Sequence, residues 1–455
     1  MTAPIETEDT PLTLLTPDFK CSGVKRMQRS LDYAQHPRKY LENVLGAETF
    51  TDREHLFCLP EVGKPDVEMD VYGAGGHMKK FQGHVAEKVL GKKHGLFFGT
   101  GVAAQLSALK EHCTGKGNNL AAWHHLSHLE GHEESAFDTL WGLRRTLIGE
   151  PTKVPTVADI ETLTTLPEAE RPAVILLEVP NRELACRTFL FEDLVHISKL
   201  CRAAGVALHL DGARLWEIEP YYQEQSGKSI KDITALFDSV YVSLYKGLGG
   251  HAGAILASDN ESFMAATKTW RRRAGVNPIT SYQETIDCER GFNENIGTFA
   301  QKYAKLKSVA AAITQATSPF HAPDGSRFIV FEPSIPTCSQ TVIRFHGATS
   351  QQLKDAVALV EKQHRIRIAA RFAPWTESVE EKKQAIVART KRQEEVDAGR
   401  TPVEPEDTRE HYFEMHVTRE QLKVEDGLYV KAYVAFCEAV MESIASEGKV
   451  SQTKA

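Results

Sequence analysis

The chain has 455 residues, 42% of them hydrophobic and 25% charged, with a formal net charge of -7. That length exceeds what a single hydrophobic core serves, so one large domain and a smaller one are expected. The acidic balance argues against an electrostatic grip on nucleic acid or on anionic lipid.

Eight cysteines are scattered without a CxxC pair, and the opening MTAPIETEDTPL lacks the basic and apolar segments of a secretory signal. No apolar run reaches the roughly 18–20 residues that span a bilayer. The expectation is a cytoplasmic protein with reduced thiols and no membrane partner. Residues 1–60 read as an N-terminal arm, irregular apart from one amphipathic stretch. A strand and helix rhythm begins near residue 80. KKFQGHVAEKVLG has apolar positions at helical spacing, GLFFG is a short apolar run, and TGVAAQLSALKEHC is helical after a glycine-rich turn. The alternation recurs in AVILLE (173–178), FEDLVHISKLCRAAG (191–205), VALHL (206–210), SVYVSL (239–244) and AGAILA (252–257). This predicts an α/β domain over 61–315: a mostly parallel sheet covered on both faces, with its chemistry at the carboxyl ends of the strands. Over 316–455, the runs RFIVF, TVIRFHG, QQLKDAVALVEKQH and RIRIAARF predict a smaller C-terminal α/β domain. The charged stretch 377–411 interrupts it and reads as a solvated insertion.

VALHL runs into Asp211-Gly212-Ala213-Arg214, an acid and a base at a strand end, although Asp-Gly is also a common plain turn. SVYVSLY delivers Lys246 to a Gly-Leu-Gly-Gly turn, where it is a surface lysine, a phosphate-loop lysine or a covalent one. Asp211 and Lys246 at neighbouring strand ends suit pyridoxal 5'-phosphate. That cofactor needs an amine for its aldehyde and a carboxylate beside its ring nitrogen. FFGTGVAAQ offers a phosphate cup at Thr100-Gly101, where a strand turns into a helix N-terminus, with a simple packing turn as the alternative. WHHLSHLEGHEE supplies His124, His125, His128 and His132, whose i, i+4 pairs also suit a metal, though HExxH is absent. GAGGHMKKFQG (73–83) lacks the spacing of a dinucleotide loop.

HLDGARLWE (209–217) and SLYKGLGGHAGAIL (243–256) resemble the cofactor-binding and Schiff-base motifs of the threonine aldolase and β-eliminating lyase group. That group belongs to the fold-type I, aspartate-aminotransferase-like pyridoxal phosphate enzymes. DVYGAGG (70–76), FFGTGVAAQLSAL (97–109), SHLEGHEESAF (127–137), LEVPNRELACRTFLFEDL (177–194) and WRRRAG (270–275) follow in the family's order. The resemblance implies Lys246 as the Schiff-base lysine, Asp211 as partner of the ring nitrogen, and Arg214 near the phenolic oxygen or the substrate carboxylate. It implies Thr100 and Gly101 as phosphate holders, His128 (followed by Glu133) as the ring-stacking group and base, and no metal. His112 and His77 are weaker candidates for the base.

The chain also departs from the family pattern. Thr100-Gly101-Val102 stands for Ser-Gly-Thr, Glu178-Val179-Pro180-Asn181-Arg182 for Glu-Asn-Thr-His-Asn, and Ala185-Cys186 for Gly-Gly. HYFEMHV (411–417) lacks the family's substrate-binding arginine, for which Arg371 is a candidate substitute. The implied reaction cleaves the Cα–Cβ bond of a β-hydroxy-α-amino acid to glycine and an aldehyde. Racemisation or β-elimination is the alternative, and a non-catalytic binding protein is the other class. The group builds its sites between subunits, which implies a homodimer or a tetramer of dimers, with Arg271, Arg272 and Arg273 as candidates to reach a neighbour's phosphate.

Overall fold

Val174–Glu178 and Ser239–Ser243 are buried along their whole length, the pattern of strands covered on both faces. The computed structural model describes residues 12–14, 23–59, 71–369, 371–376 and 409–453, with isolated positions between 378 and 399. Seven strands form the main sheet: β1 (His94–Phe98), β2 (Leu120–His124), β3 (Arg144–Ile148), β4 (Val174–Glu178), β5 (Ala207–Gly212), β6 (Ser239–Ser243) and β7 (Ala254–Ser258). Their spatial order is β1-β7-β6-β5-β4-β2-β3. Pairing is parallel from β6 through β3, while β7 is antiparallel to both β1 and β6. Residues 244–253 are too short a link for a crossover helix, so the chain turns straight back after β6.

The longer α-helices of this unit are α1 (Gly23–Gln35), α2 (Pro37–Leu45), α3 (Ala47–Arg53), α4 (Gly76–Gly83), α5 (Gly101–Lys116), α6 (Val157–Thr164), α7 (Phe191–Ala204), α8 (Leu215–Ser226), α9 (Glu261–Arg273) and α10 (Tyr282–Asn295). α5 is buried on most sides. Its Ala103, Ala104 and Ala108 pack with Tyr241 and Leu256, while Leu106, Leu109 and Cys113 pack with Trp123, Val174 and Leu176. The small residues bring the helix close to the sheet, and so hold its N-terminus at the strand ends. In α10, the buried Phe292 meets Phe81 and Trp216 edge-on.

The N-terminal segment differs from the irregular arm expected. Residues 23–53 form three helices, because polar side chains on the first two find buried partners on the distant α10. Local sequence carries no trace of such a partner.

The chain divides into two compact units, residues 21–300 and residues 1–20 with 301–455. In the second, β8 (Ile329–Glu332), β9 (Gln340–His346), β10 (Ala373–Pro374) and β11 (Glu410–His416) form an antiparallel sheet in the order β10-β11-β9-β8. Its core joins Phe328, just before β8, with Phe345 of β9, Leu306 of α11 (Phe299–Ala316), Leu353 of α12 (Ser350–His364) and Phe436 of α13 (Asp426–Thr453). Most of the 377–411 stretch lies outside the described residues. None of the seven described cysteines is in a disulfide. Among the described residues, no helix is long and apolar enough to cross a membrane.

Candidate active site

The parallel register sets Glu178 of β4 beside Asp211 of β5, and Asp211 beside Tyr241 of β6. In-register residues of parallel strands face the same side of a sheet, so these three stand abreast at the carboxyl ends. Lys246 follows in the turn after β6. The Gly249 N–H donates to Lys246 O at 3.0 Å, and the Gly250 N–H to Leu244 O at 2.9 Å. Gly249 lies in the left-handed region, with φ of 73°, where a Cβ is strained. A Cβ on Gly247 would come within 2.5 Å of the Glu217 carboxyl, so the first turn of α8 packs directly on this loop.

Burial pulls the Lys246 amine down to about 8, and the Arg214 guanidinium pushes the same way against Asp211, Glu178 and Glu217. An ordinary lysine is almost wholly protonated at neutral pH, whereas this one keeps a usable neutral fraction. Glu178 is displaced in the opposite sense. Burial first, then the neighbouring Asp211, pushes its carboxyl up to about 7, with His128 and Lys246 pulling back. Its Oε1 accepts the Arg182 N–H at 3.2 Å, while its buried Oε2 has no hydrogen-bond partner.

A pH effect follows for the cofactor-free protein. Folded Glu178 keeps its proton to about pH 7, whereas the unfolded chain releases it near the usual carboxylate value. The folded state therefore binds more protons across that window, and stability falls as pH rises through it. Glu178→Gln is expected to flatten that slope and to raise stability at pH 7 by on the order of 2 kcal/mol. Denaturant midpoints at pH 5 and pH 7 measure it.

Thr100 caps α5, accepting the Ala103 N–H at 3.3 Å. Gly101 is buried against Tyr241, whose Oη a Cβ would overlap. This contact carries the Thr100-Gly101 turn to the strand next to Asp211. The first N–H groups of α5 have no acceptor within the helix, which suits an anion. The residues fit pyridoxal phosphate. An anion cup, a buried carboxylate, a partly neutral amine and the unsatisfied Glu178 Oε2 converge where β4, β5 and β6 end. Glu178 and Glu217 were not singled out from sequence, since only strand register and the packing of α8 bring them to Lys246.

His128 Nε2 meets Glu133 Oε1 at 2.8 Å, and its ring stacks on His132 with centroids 4.7 Å apart. His132 in turn meets Glu183 at 3.0 Å. His124 is held by backbone: the Leu126 N–H donates to its Nδ1, and its Nε2 lies 3.0 Å from Glu150 O. Among the described residues, no group of three or more His, Cys, Asp or Glu side chains is arranged to hold a metal.

The weaker base candidates are engaged elsewhere. His112 Nε2 lies 2.8 Å from Ser239 Oγ, at the opposite end of β6 from Lys246, and His77 pairs with Glu289 of α10. Arg271 is turned inward, donating to Phe97 O at 2.6 Å and packing on Gly73, while Arg272 and Arg273 are exposed. Arg371 is exposed, and β11 contains no arginine.

Ala185 and Cys186 keep the backbone that glycine favours, with φ of 55° and 60°. Ala185→Gly is therefore expected to raise stability by about 1 kcal/mol, read as a higher Tm.

The architecture and these converging residues define a fold-type I pyridoxal phosphate enzyme. A Crystal structure from Listeria monocytogenes EGD-E, provisionally assigned as an L-allo-threonine aldolase, superposes with a TM-score of 0.68 at 27% identity, covering 89% of this chain and 99% of that one. A structure from Exiguobacterium sp. 255-15, provisionally assigned as an aromatic amino acid beta-eliminating lyase/threonine aldolase, gives 0.67 at 26% identity, covering 85% of this chain and 93% of the other. The model of the beta-eliminating lyase family matches residues 65–418, and the chain belongs to that family. The family is one of pyridoxal phosphate-dependent lyases, and membership assigns the chain that cofactor. Low-specificity L-threonine aldolase of Candida albicans is 30% identical over 131 residues, which are 26% of this chain and 34% of that protein. Low-specificity L-threonine aldolase 1 of Arabidopsis thaliana is 26% identical over 258 residues, 55% of this chain and 69% of the relative.

Proposed function

We propose that the chain cleaves the Cα–Cβ bond of a β-hydroxy-α-amino acid, giving glycine and an aldehyde. The observation that carries this reading is the placing of Lys246 and Asp211 at the adjoining ends of β6 and β5, with the Thr100-Gly101 turn brought to them by the contact of Gly101 with Tyr241. When bound, pyridoxal phosphate supplies the electron sink for the bond that breaks at Cα. Lys246, whose amine burial pulls down to about 8, would be the residue that holds the cofactor. Asp211 would keep the ring nitrogen protonated, and the N–H groups at Thr100-Gly101 would hold the phosphate. Arg214, which is buried and acts on the Lys246 amine, would serve the phenolic oxygen or the substrate carboxylate.

His128 is the stacking group and the base. With Nε2–H directed to Glu133, its Nδ1 carries the lone pair that takes the proton of the β-hydroxyl. The relatives support the substrate class, since those compared include low-specificity L-threonine aldolases. We place the enzyme in the cytoplasm, where thiols without disulfide partners persist, and as a homodimer or a tetramer of dimers.

The purified holoenzyme, given L-threonine, L-allo-threonine and phenylserine, is expected to release glycine and the matching aldehyde in equal amounts. Neither product from any of the three contradicts the reading. Racemised alanine when alanine is supplied as well, or an α-keto acid without glycine, assigns the same site to racemisation or β-elimination.

A further inference from the structure

α10 carries a row of buried charges that the proposed chemistry does not use. Asp287, Glu289, Arg290 and Glu294 are each no more than 3% exposed. Arg290 lies at the centre of the row. Its Nε and Nη2 donate to Asp287 Oδ1 at 3.0 and 2.9 Å, and its Nη1 to Glu294 Oε1 at 2.9 Å. Its Nη2 also donates to Gly249 O at 3.1 Å, inside the turn that follows Lys246. The rest of α10 grips the same turn. Asp287 Oδ2 accepts the His251 N–H at 2.6 Å, Asn295 Nδ2 donates to Leu248 O at 3.0 Å, and Cys288 Sγ donates to Ala252 O at 3.0 Å. Gly291 allows the approach, since a Cβ there would lie 2.6 Å from Leu248 O.

The other side of the row faces the N-terminal helices. Arg29 Nη2 donates to Glu294 Oε2 at 2.7 Å, Tyr40 Oη to Glu294 Oε1 at 2.6 Å, and Ser30 Oγ to Asp287 Oδ1 at 2.5 Å. α1 and α2 precede residue 65, where the match to the family model begins. A segment outside the family match thus reaches, through two carboxylates and one guanidinium, the backbone of the lysine turn. Buried ionic groups are weak evidence for stability as such, and their best-attested use is to impose one geometry.

We propose that Asp287, Arg290 and Glu294 are positioning residues for Lys246, and that Arg29, Ser30 and Tyr40 couple the N-terminal helices to that turn. The functional part rests on Lys246 being the cofactor's attachment point; the mechanical part does not. Three acceptor carbonyls and one N–H of residues 248–252 are tied to α10, which leaves the turn few alternative conformations. Where the turn loosens, the Lys246 amine leaves its setting among Asp211, Glu178 and Arg214.

Amide hydrogen exchange over 247–252 in the cofactor-free protein tests this directly. Arg290→Met, and the milder Arg290→Lys in case the first does not fold, are expected to speed exchange there by about tenfold or more, with β4 and β5 unchanged. Arg29→Met, at a partly exposed position, is expected to speed it by a smaller factor. In the holoenzyme, the same variants are expected to shift the pH midpoint of the visible absorbance of the lysine-bound cofactor. Exchange at 247–252 that stays at the wild-type rate in folded Arg290 variants overturns the positioning role. Arg29→Met exchange that rises only within 23–45 overturns the coupling to the N-terminal helices. Faster exchange with a visible band that persists in Lys246→Ala keeps the brace and overturns the role of the lysine instead.

Discussion

Lys246→Ala is expected to abolish covalent capture of pyridoxal phosphate, leaving a folded protein without the yellow band, and to lower turnover by about 10³-fold or more. The effect is large because the setting of Lys246 is what leaves its amine partly neutral. Asp211, Glu178, Glu217 and Arg214 all act on its ammonium, and burial pulls the amine to about 8. A small primary amine added to the solution is expected to restore part of the activity by replacing the missing nucleophile. Absorbance and steady-state kinetics check both parts. A Lys246→Ala enzyme that stays yellow and active contradicts the assignment.

Asp211→Asn is expected to be almost as damaging. The side chain is 1% exposed, and its Oδ1 accepts the Ala213 N–H at 3.0 Å, so its position is set by its own turn. The amide keeps the shape and loses the charge, leaving a protonated ring nitrogen without its counter-ion. Losing one partner of a buried pair costs about 3–5 kcal/mol, so kcat is expected to fall by about two to four orders of magnitude. Asp211 also favours the charged form of Lys246. The amine of the variant is therefore expected to titrate lower still, because the strongest opposing charge has gone. Kinetics at saturating cofactor and a titration of the cofactor-free amine distinguish these two consequences.

The residues at the strand ends were legible in the sequence because each is announced by its own strand. VALHL leads into Asp211, SVYVSLY into Lys246 and GLFFG into Thr100-Gly101, and all three strands form as read. The antiparallel return of β7 is legible in the short link 244–253, which no crossover helix can occupy. Other features depend on contacts far apart in the chain. Glu178 acquires its raised carboxyl from strand register with Asp211, and Glu217 reaches the lysine turn only through the packing of α8 on Gly247.

Histidines illustrate the same divide. His112 and His77 are as suitable by residue type as His128, but Ser239 and Glu289 hold them elsewhere. Arg271 reads, with Arg272 and Arg273, as a candidate to reach a neighbour's phosphate, yet it donates to the carbonyl of Phe97 in the interior. In Ala185-Cys186 the chain departs from the glycines of the family pattern, and both residues lie in the left-handed region that favours glycine. The N-terminal helices were the least legible of all, since the partners of Arg29, Tyr33 and Tyr40 lie on α10, more than two hundred residues away.

The most direct measurement is borohydride reduction of the holoenzyme followed by peptide mapping. The pyridoxyl mass is predicted on the single peptide that contains Lys246, with its formation lost in Lys246→Ala. A stable pyridoxyl adduct on any other lysine, or none from a protein that binds the cofactor, would contradict the account of this site.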